Sequence, residues 1–180
     1  MALTQVIGDG LATSGLPTGS VLQVVNTTKT DTFTGTNSSF TLVTGLAASI
    51  TPSSTSNKIL VLVSVSGNRN RSNSELGQFT IFRTGVGSAA NLINAASVGS
   101  RNSGFTGGVQ MGDTNGAANM EVYSTTIQDS PSSTAELTYE VRFRNAGSSE
   151  VTFVNRSETD TDGASGTRGV STITLMEIAG

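Results

Sequence analysis

The stretch Ala135-Glu-Leu-Thr-Tyr-Glu-Val-Arg-Phe-Arg144 sets Leu137, Tyr139, Val141 and Phe143 in strict alternation with Glu136, Thr138, Glu140, Arg142 and Arg144. A period of two belongs to an extended strand with one face buried and the other wet. On either side of it, similar runs occupy Ser20 to Phe33, Phe40 to Thr44, Ala47 to Thr51, Lys58 to Ser66, Gln78 to Arg83, Glu121 to Gln128, Glu150 to Val154 and Val170 to Ile178. Weaker candidates lie at Asn91 to Ile93 and Val109 to Met111. Gly, Ser, Asn and Thr clusters separate them, and no run carries a helical period. The chain therefore reads as all-β: an antiparallel β-sandwich, with a jelly roll as the leading architecture. Alternation assigns Phe79, Ile81, Leu137, Tyr139, Val141, Phe143, Val151 and Phe153 to inward faces. The runs Ile59 to Val65 and Ile173 to Ile178 are apolar on both faces, which is expected of central strands or of strands at a subunit contact.

Composition makes this core thin. Only 35% of the 180 residues are hydrophobic and 5% aromatic, and 13% are charged, with a net charge of −3. A thin core is easier to sustain when subunits share apolar surface, so an oligomer is expected with the two-faced strands at its contact. The abundance of Val, Ile and Thr argues against disorder. The 10 basic residues are scattered rather than striped, so no nucleic-acid footprint is present. No apolar run approaches a membrane span, and the start Met1-Ala-Leu-Thr-Gln5 has no secretory pattern, so no membrane partner is expected. Residues 1–18, with Gly8, Gly10, Gly15 and Pro17 among isolated apolar positions, read as an arm that orders on a partner; residues 19–180 form the head.

The chain has no Cys, His or Trp. That removes thiolate and imidazole chemistry and the usual zinc ligand sets, so no catalytic, cofactor-binding or metal residue is assigned and a non-enzyme is expected. Gly85-Val-Gly-Ser-Ala-Ala90 has dinucleotide-fingerprint spacing, but no helix pattern follows it. Asp160-Thr-Asp162-Gly163 resembles the opening of a calcium loop without its third acidic position and closing Glu. Glu158, Asp160 and Asp162, flanked by Arg156 and Arg168, are expected to pair with one another or face water. Asn26, Asn37, Asn70 and Asn155 begin glycosylation-type triplets of the kind that arise by chance in an Asn, Ser and Thr-rich chain.

The segments Ala48-Ser-Ile-Thr-Pro-Ser-Ser-Thr-Ser-Asn-Lys-Ile-Leu-Val-Leu-Val63, Asn155-Arg-Ser-Glu-Thr-Asp-Thr-Asp-Gly163 and Arg168-Gly-Val-Ser-Thr-Ile-Thr-Leu-Met-Glu-Ile178 resemble a family of virion surface proteins from marine tailed bacteriophages. Met1-Ala-Leu-Thr-Gln5 and Gly19-Ser-Val-Leu-Gln-Val24 fit it too, and the likeness weakens in the Gly-rich middle. The resemblance implies a head-decorating protein, fibre or tail-fibre tip made in the host cytoplasm and exposed on the virion surface. It also implies a trimer whose jelly roll is like the C1q and tumour-necrosis-factor heads, and other virion proteins, of capsid or tail, as partners through the arm. A carbohydrate-binding adhesin is the alternative. In it the loops Gly67 to Leu76 and Asn155 to Gly169 would hold host surface glycans, with Tyr123 and Tyr139 the scant aromatic supply.

Overall fold

The computed structural model describes residues 16–69, 77–96, 99–106, 120–147, 150–164 and 166–180. Among them no helix is present; ten strands are. β1 (Val21–Lys29), β2 (Phe33–Gly35), β4 (Lys58–Arg69), β7 (Glu121–Asp129), β9 (Thr152–Val154) and β10 (Ser171–Ile178) form one antiparallel sheet, here sheet 1. β3 (Thr41–Ile50), β5 (Gln78–Thr84), β6 (Ala90–Asn91) and β8 (Leu137–Arg144) form the facing sheet 2, in the order β3-β8-β5-β6.

The pairing itself defines the topology. β2 and β9 pair with each other and prolong the rows begun by β1 and β10. The other strands pair first with last (β1 with β10), then β3 with β8, β4 with β7 and β5 with β6. Nested antiparallel pairing of this kind, split over two sheets, is a jelly roll. The fold class expected from strand periodicity is thus the observed one.

Local sequence explains most strand limits. In β8, Leu137, Tyr139, Val141 and Phe143 are fully buried while the intervening residues are half-buried. They meet Val61, Val63, Ile173 and Leu175 of sheet 1 in one core. Each such side chain contributes about 1.5–3 kcal/mol on leaving water. Phe143 closes the distal part of the core: its ring occupies the space where a Cβ on Gly35 would sit, and Phe33 meets it edge-on at 5.2 Å. The two runs expected at Phe40 to Thr44 and Ala47 to Thr51 are one strand, β3. Its register shifts between Leu42 and Ala47, at Gly45 with φ +82°, so the bulge bends the strand without ending it. Conversely, the run Ser20 to Phe33 divides into β1 and β2.

Two inward assignments, Val151 and Phe153, are corrected. In β9 the residues that face the core are Thr152 and Val154, paired with Arg69 and Gly67 of β4, so Val151 and Phe153 lie in the opposite phase. Phe153 is still buried, beneath the guanidinium of Arg156 at 4.8 Å. A three-residue strand supplies too little alternation to fix its phase, and a shift of one residue exchanges the faces. The expected Val109 to Met111 strand and residues 1–15 of the arm lie outside the described residues.

The two ends of the sandwich differ. At one end the chain enters beside its own C-terminus: Gly19 N donates to Ala179 O at 2.8 Å, and Ala179 N to Ser20 O at 2.9 Å. This proximal end joins the two sheets through Asp129 of β7, which accepts from Arg83 at 2.7 and 3.0 Å and from the Tyr139 hydroxyl at 2.8 Å. Burial, reinforced by the Asp129 carboxylate, pushes the Tyr139 phenol well above its ordinary range, so it stays a donor. The opposite, distal end carries residues 155–170, which leave the sheet between β9 and β10.

Candidate assembly face and distal loop

The outer face of sheet 1 is built by the strand positions that alternate with the core. Val24 lies beside Met176, Met176 beside Leu60, and Leu60 beside Gln128; the next row is Asn26, Thr174, Leu62 and Thr126. Thr28, Thr172, Ser64 and Ser124 make a third row. Lys58 is the one charged side chain among the outward positions of β1, β10, β4 and β7 that the structure describes. Val24 is 55% exposed and Val122, on the β7 edge, 66%. A shallow groove of about 570 Å³ runs over the face, lined by Leu62, Ser64, Ser124, Thr126, Thr172 and Thr174.

Sheet 1 keeps its polar fixtures on the inner side, at its ends. At the proximal end the Glu177 carboxylate is 1% exposed and is held by neutral donors. Ser53 N, Asn57 Nδ2 and Gln23 Nε2 each approach to 2.6 Å, and Ser53 Oγ to 2.8 Å. Burial alone would push this carboxyl up; the hydrogen bonds from Asn57, Gln23 and Ser53 outweigh it and hold it below its ordinary 4.5. The Pro52 to Asn57 loop is thereby tied to β10.

At the distal end Asn155 clasps the excursion. Its φ of +60° turns the chain out of the sheet, a conformation Asn tolerates better than most residues. Its amide donates to Lys29 O at 2.8 Å and Asp31 O at 2.9 Å, and its Oδ1 accepts from Ser171 Oγ at 2.7 Å. The 155–170 excursion leaves through β9 and returns through β10 across this one side chain.

Within the excursion Asp160 is the hub. Arg168 reaches it at 2.5 Å and Arg156 at 3.5 Å, while Arg156 also donates to the carbonyls of Ser157 and Glu158. Both carboxylate oxygens of Asp160 are therefore engaged by guanidinium groups. Asp162 is exposed, and Glu158 Oε2 is buried without a partner. Among the described residues no group of acidic side chains is arranged to hold a metal ion. Asp160, Thr161, Asp162, Thr167 and Arg168 border a polar cavity of about 340 Å³.

The other motifs resolve structurally. Gly85 to Ala89 make the turn from β5 to β6, with Gly85 and Gly87 at positive φ and no following helix. Asn155 is fully buried, so its triplet cannot carry a glycan, and Asn70 and most of the Gly67 to Leu76 loop lie outside the described residues. Neither tyrosine offers a platform: Tyr139 is in the core, and Tyr123 donates to Glu121 at 2.7 Å and packs on Phe79.

Sequence reasoning missed an aromatic cluster on the outer face of sheet 2. Phe40 and Phe82 lie 5.9 Å apart. The Arg142 guanidinium sits 4.3 Å over Phe82 and is paired with Glu140 at 2.6 Å; that of Arg144 sits 5.8 Å from Phe40. The outward phase of Arg142 and Arg144 was readable from alternation. Their meeting with phenylalanines about 60 and 100 residues away was not, because it depends on the β3-β8-β5 order.

No protein family matches the sequence, and no curated protein matches it. Among solved structures, the chain is similar to one from infectious bursal disease virus, Gt strain. There the TM-score is 0.42 at 13% identity, over 97% of this chain and 41% of that one. A chain from the Gx strain gives 0.37 at 14% identity, over 97% and 43%. The VP2 subviral particle of the same virus gives 0.36 at 13%, over 87% and 38%. This chain spans less than half the length of each of these chains. The fold assignment stands on the strand pairing described above.

Proposed function

We propose that this chain is a non-enzymatic structural protein of a bacteriophage particle. In this reading its jelly-roll head forms a homotrimer through the outer face of sheet 1 and is tethered to the particle by residues 1–18. The observation that carries the reading is that face, where Val24, Leu60, Leu62, Met176 and Val122 point outward and Lys58 is the one charged side chain among the described outward positions of β1, β10, β4 and β7. Val24, Met176 and Leu60 lie side by side with Leu62 in the next row, among uncharged Thr, Ser, Asn and Gln, so the face can meet a second copy without burying a charge. The resemblance of the 48–63, 155–163 and 168–178 segments to virion surface proteins supplies the setting. Chain entry at the proximal end supports an arm that leaves one pole of the head while the 155–170 excursion is displayed at the other.

Deleting residues 1–18 tests the reading. The truncated head should keep its melting temperature and its oligomeric state but no longer enter virions. Full occupancy of the truncated protein on particles would move attachment to the head and refute the proposed tether. A second reading, an adhesin, is favoured by the polar 340 Å³ cavity in the excursion, where Ser157, Thr161, Thr167, Asp162 and Arg168 supply groups able to hydrogen-bond a sugar.

A further inference from the structure

Arg144 is half-buried on the outward phase of β8. Its Nε donates to Ser38 O at 3.1 Å, which orients the group, and no acidic partner for it is present among the described residues. Arg142 beside it is neutralised by Glu140. The two same-face arginines are about 7 Å apart along β8 by strand geometry. Between and beneath them lie the half-buried rings of Phe40 and Phe82. One guanidinium fork is thus unclaimed, next to an apolar platform, on a chain whose net charge is −3.

We propose that the outer face of sheet 2 at Phe40, Phe82, Arg142 and Arg144 binds a carboxylated saccharide. A planar guanidinium fits a carboxylate in a two-point contact. The parts of the half-buried Phe40 and Phe82 rings that the guanidinium groups leave uncovered would meet the apolar side of the sugar, and the patch rests on the adhesin reading only in requiring a glycan ligand. Its size and charge select among occupants. A nucleic acid needs several cations along its phosphates, and here a single one is unpaired. A stable protein interface takes about 800 Å² per partner, far more than two rings and two guanidinium groups offer. One carboxylate and one sugar face match the groups present. The stacked guanidiniums also hold the rings in place, so the surface is preformed and loses little rotamer freedom on binding.

The test is titration of the full-length protein, followed by backbone amide NMR shifts, with 3′-sialyllactose and with trigalacturonic acid as probes. Lactose is the neutral control. Either acidic saccharide should bind with a dissociation constant of about 1 mM or tighter and shift the amides of Phe40, Phe82 and Arg144, while lactose should not. Arg144→Gln, on the surface and outside the core, should weaken binding at least about tenfold with the fold intact, and Arg144→Lys less so because it keeps charge without the fork. No binding of either acid at tens of millimolar, or lactose binding equally well, would overturn the proposal. Shifts confined to residues 156–169 would also overturn it, while leaving the adhesin reading in place.

Discussion

The two outer faces of this sandwich are made from strands of similar length and carry opposite chemistry. On sheet 2, Glu140, Arg142 and Arg144 alternate outward with stacked phenylalanines, and residues 91–96 and 99–106 lie against part of it through bonds such as Asn91 Nδ2 to Ser103 O. On sheet 1, threonine, serine, leucine and methionine fill the equivalent positions. The buried polar groups Glu177, Lys29 and Ser171 are turned to the inner side at the ends. Net polarity is thus a poor guide to what a face is for. On the reading proposed above, the low-charge face of sheet 1 is the one that meets other subunits, whereas the face of sheet 2 pairs Arg142 with Glu140 and leaves Arg144 without an acidic partner among the described residues.

Both faces depend on one core, so the largest effect should come from breaking it. Val141→Asp places a carboxylate among fully buried side chains of both sheets. It should cost several kcal/mol, seen as loss of cooperative melting and of the β-type circular dichroism. If the variant melted like the parent, the two faces would not share a core and the contrast between them would lose its basis.

A smaller effect is expected at the distal anchor of sheet 1. Asn155→Ala removes donors to Lys29 O and Asp31 O and the acceptor of Ser171 Oγ, and keeps a positive φ that alanine dislikes. It should cost about 1–3 kcal/mol in chemical denaturation. Hydrogen exchange should quicken at the ends of β9 and β10 and not in sheet 2. Equal quickening in both sheets would show that Asn155 is not a local clasp.

The proximal anchor should report through pH. Because Glu177 is held below its ordinary 4.5 in the fold, its contribution is present above that value and is lost as pH falls through the lower folded one. Asp31, held down by its bond from Lys29, adds in the same direction. The melting temperature should therefore fall on acidification below about pH 4.5, and Glu177→Gln should flatten part of that slope. An unchanged acid limb in the variant would show that Glu177 does not set it.

The smallest effect concerns the excursion. With Asp160 engaged by Arg156 and Arg168, millimolar calcium should leave the melting temperature unchanged. Asp160→Asn should cost no more than about 1 kcal/mol, the scale of exposed ion pairs. A calcium-dependent rise of several degrees that vanishes in Asp160→Asn with Asp162→Asn would be incompatible with this pairing.

Period-two alternation was enough to read the sandwich, because β4, β8 and β10 are long and each buries every second residue. It failed at β9, where three residues give no phase, and at β3, where the Gly45 bulge divides one strand's pattern into two. The candidate surfaces were legible to different degrees. The two-faced apolarity of 59–65 and 173–178 was visible in the sequence and maps to the outer face of sheet 1. The roles of Asn155 and Glu177 were not, since an Asn in a loop and a Glu alternating along a strand look solvent-exposed until distant segments close around them. The Phe40 and Phe82 cluster was hidden for the same reason.

Whether the outer face of sheet 1 is a subunit contact can be decided by the solution mass of the protein, from sedimentation or light scattering. The measurement compares the wild type with Leu62→Glu on sheet 1 and Thr138→Glu on sheet 2. The wild type and Thr138→Glu should be trimers at micromolar concentration, and Leu62→Glu a folded monomer with unchanged circular dichroism. A monomeric wild type, or a Leu62→Glu protein that remains trimeric, would rule this contact out.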